Sequence, residues 1–523
     1  MPACIVGWSH TPYGKHENDD VESLIGKVAL AALEDAGIGP DEVDEIFVGH
    51  FNEGFSRQAF PASLVLQADE RLRFKPATRV ENACATGSAA VRQGIRAVDS
   101  GARFVLVVGA EQMTTTPGPE IGANLLKASY LPEDGDTPAG FAGVFGKLAR
   151  AYFQCYGDQS DALAAIAAKN HKNSVDNPYA QMRKDLGYDF CRRESEKNPF
   201  VAGPLKRTDC SLVSDGAAAL VLADAATALR MRRAVAFRAN EHVQDFLPMS
   251  KRDILLFEGC EQAWAQALKT AGVTLDDLSF VETHDCFTIA ELIEYEAMGL
   301  AKRGEGAKLA LEGYTAKDGK LPVNPSGGLK SKGHPIGATG VSMHVLTSMQ
   351  LAGEAGGIQV PNAKLGGGSG GGASWRHSRE RPSRSGGGLR WRWQSGLGNR
   401  RYRKARVPAL GGEGDPSVAA GRERCGRRLR LRQSRTGAGM RLPFRRAGAC
   451  RDGCLHAGAR RAGRDGAGVR QPLAEQPCGD GGVGARRRRA QCVAQQLFGQ
   501  ACGFSVRLLP LRDCSSRLCE CRP

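Results

Sequence analysis

The chain has 523 residues, 41% hydrophobic and 24% charged, with a formal net charge of +15. That average conceals two unlike pieces: residues 1–365 carry 37 basic and 46 acidic residues, a net −9, whereas 366–523 carry 34 and 10, a net +24. The first piece is long enough for a large core or two fused halves, and its acidity excludes reading the overall charge as nucleic-acid binding by the body.

Seven of the 16 cysteines (Cys4, Cys84, Cys155, Cys191, Cys210, Cys260 and Cys286) fall in the first piece, widely spaced. Such spacing predicts free thiols in a reducing compartment rather than a disulfide framework. Met1-Pro-Ala-Cys-Ile-Val-Gly has no basic leader region, no apolar run reaches the length of a membrane span, and Cys521-Arg522-Pro523 is no targeting signal. The expectation is a cytoplasmic chain without a membrane partner.

In chain order, Cys4–Trp8 reads as a short buried strand, and Val21–Ala36 as a helix stopped by Gly37. Glu45–His50 is a second strand. Thr86–Val98 repeats its apolar positions (Ala90, Val91, Ile95, Val98) at helical spacing, so Cys84 sits at or just before a first helical turn. Small neighbours (Ala83, Ala85, Gly87, Ser88) leave room for a substrate carbonyl beside the sulfur. Orphan N–H groups and the positive end of the helix dipole are expected to lower that thiol's pKa. Phe104–Ala110 is apolar at successive positions, as a strand covered on both faces is. Strands alternating with helices at these lengths predict an α/β fold with a mainly parallel sheet covered by helices.

A repeat extends this reading. Ala32–Val48 reappears as Ala267–Val281, two residues shorter, each copy being helix, glycine stop, acidic turn and strand. A second echo relates the Cys84 helix to one opening at Gly333-His-Pro-Ile-Gly-Ala-Thr-Gly340. Two similar α/β halves follow, with a helix N-terminus from each converging on one site. The first half spans 1–230, including an insertion over about 112–230 that holds helical runs at Gly146–Tyr156 and Asp161–His171 and returns to a strand within Asp209–Leu222. The second half spans 231–365. Basic clusters in the insertion (Lys169, His171, Lys172; Arg192, Arg193; Lys206, Arg207) are candidates for an anionic substrate or for plain solvated surface.

Three further stretches accompany Cys84. Val281-Glu-Thr-His-Asp-Cys-Phe287 places His284 and Cys286 in a strand-to-helix turn, where α/β folds carry functional side chains. Asn324-Pro-Ser-Gly-Gly-Leu329 is a turn-rich loop that permits close backbone approach. Gly333–Gly340 places His334 just before a helix start.

The stretches Glu81-Asn-Ala-Cys-Ala-Thr-Gly87, Ser214-Asp-Gly-Ala-Ala-Ala219, His284-Asp-Cys-Phe287 and Gly333–Gly340 resemble the thiolase superfamily over residues 1 to about 365. Within it they are similar to the sterol-carrier-protein-type branch, whose members are labelled acetyl-CoA acetyltransferases or lipid-transfer proteins. The resemblance implies two thiolase-like halves and an inserted loop domain that holds coenzyme A. It implies an acyl-CoA C-acyltransferase that makes or cleaves 3-ketoacyl-CoA, with no permanently bound cofactor, no metal, and a homodimer or homotetramer. Cys84 is then the acyl-carrying nucleophile, His334 the base that activates it, His284 a donor to the thioester oxygen, and Cys286 the acid/base for the α-proton. No coenzyme-binding residue is assigned. Two alternatives stand beside this reading: a non-catalytic acyl-CoA or lipid binder, and a nucleic-acid binder acting through the basic tail.

The resemblance also implies a glycine-rich turn and a final apolar strand after Leu365. Here Gly368-Ser-Gly-Gly-Gly-Ala-Ser-Trp-Arg-His377 leads instead into a run dominated by Arg, Gly and Ala, with 33 Arg and only Lys404 as lysine. Such a composition predicts a disordered tail over 366–523, and its abrupt onset in mid-motif favours a shifted reading frame. An Arg-rich nucleic-acid segment (Arg427, Arg428, Arg486–Arg489) and a metal module (Cys450, Cys454, His456) are the other readings. The expected consequence is a second half without its closing strand and without one oxyanion donor.

Overall fold

The computed structural model describes residues 2–368 and, as backbone only, 373–377; the readings of the remaining tail lie outside the described residues. Strand β1 (Ala3–His10) leads to helix α1 (Val21–Ala36). Its first turn is closed by a capping box in which Ser23 N–H donates to Asp20 Oδ1 (2.8 Å) and Asp20 N–H donates to Ser23 Oγ (3.0 Å). Strands β2 (Glu45–Gly49) and β3 (Ala77–Val80), helix α2 (Thr86–Asp99) and strand β4 (Phe104–Glu111) follow. The insertion contributes α3 (Gly140–Tyr156) and α4 (Ser160–Asn173) before β5 (Gly216–Asp224). The second half comprises β6 (Val235–Asn240), α5 (Glu258–Ala271), β7 (Phe280–Glu282), α6 (Thr288–Ala297), α7 (Ile336–Ala352), β8 (Leu365–Gly368) and β9 (Ala373–His377).

These strands form one sheet in the order β3-β2-β4-β5-β1-β6-β9-β8-β7. In the first half β3, β2 and β4 are parallel and β5 is antiparallel to both β4 and β1, so all but β5 run one way. In the second half β6, β8 and β7 share a direction and β9 opposes them. The two sets meet edge to edge through the short pairing of Cys4 with Ala236 and Ile5 with Val235. Strand β4 shows why its sequence is apolar at every position. Phe104, Leu106, Val108 and Ala110 pack with Leu24, Ile25 and Val28 of α1, whereas Val105 and Val107 pack with Val91 of α2 and Val341 and Val345 of α7. Both faces are covered, so both sets of alternate side chains are buried.

The repeat is present as read. Helices α1 and α5 both end at a glycine in the left-handed region (Gly37 at φ 72°, Gly272 at φ 66°), and each is followed by one short helical turn and a strand. The expectation that the second half lacks its closing strand is corrected. Ala373–His377 pairs with β6 on one side and with β8 on the other. Ladder hydrogen bonds are made by the main chain, so this segment fills the slot without being an apolar strand. Residues 369–372, between β8 and β9, lie outside the described residues.

Helices α2 and α7 cross almost backbone to backbone. A Cβ on Gly340 would lie 2.2 Å from Ser88 N, and one on Gly87 2.6 Å from Val341 N. Backbone cannot yield as a side chain does, so Gly340→Ala is expected to destabilise the fold by about 1–3 kcal/mol or more. Gly122→Ala, with nothing within 4 Å of its Cβ, is the control. Chemical-denaturation midpoints compare the two, and an unchanged midpoint in Gly340→Ala would contradict this packing.

Candidate active site

Cys84 lies in the one-turn helix Ala83–Ala85 that runs into α2. Ala83 is held at φ 46°, a left-handed conformation that costs a non-glycine residue about 1–3 kcal/mol. Asn82 N–H donates to Thr86 Oγ1 (2.8 Å), and Ala83 N–H donates to Glu81 Oε1. The strained turn leaves Cys84 partly exposed where a sulfur one residue further along α2 would be buried. His284 and Cys286 occupy the turn between β7 and α6, and His334 precedes Pro335 at the start of α7.

These segments, remote in sequence, converge. The Cys84 sulfur and ring nitrogens of His284 and His334 all lie within 4.8 Å of one another. The two imidazoles stand edge to face, with centroids 5.1 Å apart and planes at 77°. Cys286 is buried beside them, close enough that charge on Cys84 bears on its thiol. All four residues singled out from the sequence thus belong to one neighbourhood.

The hydrogen bonds around His334 assign its tautomer. Its backbone N–H donates to Ser214 Oγ (3.0 Å), and on the ring Nδ1 lies 2.7 Å from Thr339 Oγ1. Thr339 has one hydroxyl proton, which it donates to the carbonyl of Pro335 (2.9 Å), so its oxygen accepts from His334 Nδ1–H. The lone pair of His334 is left on Nε2. His284 Nε2 is buried with no hydrogen-bond partner among the described residues.

Electrostatics overturn one expectation. The Cys84 thiol is not lowered by the helix start; burial, with the charge of Glu81 added, pushes it up to about 12, against a smaller opposing pull from a backbone hydrogen bond. Enclosure by the second half outweighs a dipole that acts only within the first turn. Burial likewise lowers His284 to about 4, and burial with the charges of His284 and Lys332 holds His334 well below the ordinary histidine value. Cys286 is raised by burial, then by Cys84, Glu294 and Asp285. The resting site is two neutral thiols and two neutral imidazoles.

Sequence reasoning missed the layer behind them. Asp285, between His284 and Cys286, is fully buried and accepts from Leu329 N–H (2.6 Å), Lys330 N–H (3.2 Å) and Asn170 Nδ2 (2.8 Å). Asn170 of α4 also donates to Glu291 (2.7 Å), as does Asn324 (3.0 Å), whose Oδ1 accepts from Thr283 N–H (2.8 Å). Glu111 accepts from Phe51 N–H (2.8 Å), Asn52 N–H (3.0 Å) and Gly337 N–H (3.1 Å), pinning the start of α7 to the first half. The insertion's basic clusters are partly structural: Lys169 pairs with Glu291, His171 with Ser331 (3.0 Å) and Lys206 with Asp209 (3.1 Å), while Lys172, Arg193 and Arg207 are exposed. Among the described residues no helix is long and apolar enough to cross a membrane.

Comparison with known proteins gives two family matches, "Thiolase, N-terminal domain" over residues 3–226 and "Thiolase C-terminal domain-like" over residues 241–379. The second runs past residue 365 and takes in the strand Ala373–His377. An acetyl-CoA acetyltransferase of Methanothermobacter thermautotrophicus is 36% identical over 382 residues, which are 71% of this chain and 97% of that protein. Human sterol carrier protein 2 is 33% identical over 386 residues, 69% of this chain and 68% of that protein. Among solved structures, the Ltp2-ChsH2(DUF35) aldolase shares the fold with a TM-score of 0.62 at 21% identity, covering 72% of this chain and 98% of that one. The Acat5 thiolase of Ascaris suum in complex with coenzyme A has a TM-score of 0.51 at 18% identity, covering 72% and 99%.

Proposed function

Because the chain belongs to the thiolase family, we propose that it is an acyl-CoA C-acyltransferase that makes or cleaves 3-ketoacyl-CoA through an acyl group carried on Cys84. The observation that carries this reading is the meeting of the Cys84 sulfur with two imidazole nitrogens within 4.8 Å. As the sulfur attacks a thioester carbonyl, its proton passes to His334 Nε2. The C–S bond to coenzyme A breaks, and the departing thiolate takes that proton back. His284 Nε2 donates to the oxygen where negative charge gathers. In the second half-reaction the Cys286 thiol passes its proton to a neighbouring imidazole, and its thiolate removes an α-proton from a second acyl-CoA. The resulting carbanion attacks the acyl carbon, and Cys84 leaves as a thiolate that takes the proton from the imidazole.

Two features suit an acyl chain. Ala83, beside the nucleophile, packs against the apolar cluster of Phe51, Met113 and Ile336, and Phe287 stacks on Phe145 of the insertion with centroids 4.3 Å apart. The reading includes a homodimer or homotetramer, for which edge strand β3, paired on one side only in the described chain, is the candidate surface.

Mixing the full chain with an acyl-CoA is expected to release one coenzyme A per active site in a burst and to add the acyl mass to the peptide containing Cys84. Cys84→Ser is expected to abolish both. Binding of acyl-CoA without acylation by the folded protein would replace this reading with that of a lipid binder.

A further inference from the structure

We infer that Cys84, His284 and His334 also form a binding site for a single borderline-soft divalent cation, with zinc as its type, and that the ion there blocks the nucleophile. The metal site stands on geometry alone; only the blocking of acyl transfer rests on the function proposed above.

Zinc takes thiolate sulfur at ~2.3 Å and imidazole nitrogen at ~2.0–2.1 Å, in a tetrahedron whose ligand atoms lie roughly 3.4–3.6 Å apart. The three donors here already lie within 4.8 Å of one another, so about 1 Å of side-chain adjustment closes the set. Three protein ligands leave a fourth position for water, and one sulfur with two nitrogens selects zinc over magnesium or calcium, which prefer oxygen. Spacing in the sequence gave no sign of this set, since its members come from segments at residues 84, 284 and 334.

Two independent features point to a ligand. His284 Nε2 is a buried nitrogen without a partner among the described residues. His334 is arranged as metal-bound histidines are, with Nδ1–H given to an oxygen (Thr339 Oγ1, 2.7 Å) and Nε2 left with its lone pair free. Cys84 is partly exposed, which gives the ion an entrance. The charges that reach the cluster oppose each other: Glu81 acts on Cys84 in the sense that favours a cation, and Lys332 acts on His334 in the sense that disfavours one.

Binding is a substitution without oxidation. A zinc–sulfur bond forms, the Cys84 S–H bond breaks and its proton leaves to solvent, while His284 moves its ring proton from Nε2 to Nδ1 so that the Nε2 lone pair binds the ion. A sulfur so held cannot form a bond to an acyl carbon.

The test follows alkylation of Cys84 by iodoacetamide in the full-length chain, read by mass spectrometry of its peptide. Zinc chloride is expected to slow labelling of Cys84 by about tenfold or more, a chelator to restore it, and magnesium chloride to leave it unchanged. Exposed Cys155 serves as the internal control. His284→Ala and His334→Ala are each expected to weaken the protection about tenfold or more, with labelling in the absence of zinc showing that the sulfur is still reachable. Cobalt(II) in place of zinc is expected to give a thiolate charge-transfer absorption that is lost in Cys84→Ser. Labelling of Cys84 that zinc does not slow in the wild-type chain overturns the proposal, as does protection that survives loss of both imidazoles. Protection by zinc in a chain that shows no acylation burst would keep the metal site and reject the enzyme.

Discussion

His334→Ala is expected to slow acylation of Cys84 by about 10²–10⁴-fold while leaving acyl-CoA binding close to its wild-type strength. The size follows from the state of the sulfur. A thiol pushed up to about 12 is ionised to about one part in 10⁵ at pH 7, so waiting for a free thiolate is not an efficient route. The proton must leave as the sulfur–carbon bond forms, and only a lone pair already aimed at the thiol can take it. In the proposed mechanism His334 Nε2 takes that proton, being the ring nitrogen left with a lone pair because Nδ1–H is committed to Thr339, whose own proton is committed to the carbonyl of Pro335. Burial opposes the imidazolium, and the hydrogen bond to Thr339 offsets part of that cost at the moment it forms. Thr339→Val is therefore expected to slow acylation by about ten- to a hundredfold, the worth of one hydrogen bond to a group that becomes charged. Rapid-mixing measurement of coenzyme A release gives both rate constants. A folded His334→Ala protein that acylates at the wild-type rate would remove His334 from the role of base.

What could be read in the chain and what could not divide along physical lines. Helix α1 was legible to the residue, because the stop at Gly37 is a matter of local backbone geometry. The repeat was legible because each copy writes the same order of helix, turn and strand. Cys84, His284, Cys286 and His334 could be singled out because each lies in or beside a turn at a helix start, where α/β folds carry functional side chains. The state of Cys84 was not legible. A helix dipole can be inferred from a run of residues, but the enclosure that overrides it is built by the other half of the molecule. The strand Ala373–His377 was hidden for the opposite reason: ladder bonds ignore side chains, and side chains were all there was to read. The role of Asp285 was hidden because its partners, Asn170, Leu329 and Lys330, become neighbours only in the fold.

Asp285→Ala is expected to lower both stability and turnover, the second in protein that still folds. The carboxyl is fully buried and collects three N–H donors: two from the backbone of residues 329 and 330, and one from Asn170 of the insertion. Removing it orphans all three, at about 1–3 kcal/mol each where no water replaces the acceptor, so the loss is several kcal/mol. Burial, with the charge of Glu291 added, pushes Asp285 up to about 7, so an uncharged amide is a tolerable substitute in charge if not in hydrogen bonding. Asp285→Asn keeps one acceptor oxygen and is expected to recover part of the lost stability, which a purely steric role for the side chain would not predict. The loss of turnover has a separate cause. The backbone of Asp285 joins His284 to Cys286, and its side chain holds residues 329 and 330, which lead directly into His334. One carboxyl thus fixes His284 and Cys286 relative to His334, and in the mechanism proposed for these three a misplacement of about 1 Å is worth about 10²-fold in rate. The expected result is a fall in kcat of that order with little change in KM, measured at a temperature where near-ultraviolet circular dichroism shows the variant folded. Wild-type kcat in folded Asp285→Ala would show that the two loops keep their register without it, and the positioning role would then pass to Asn324 and Glu291.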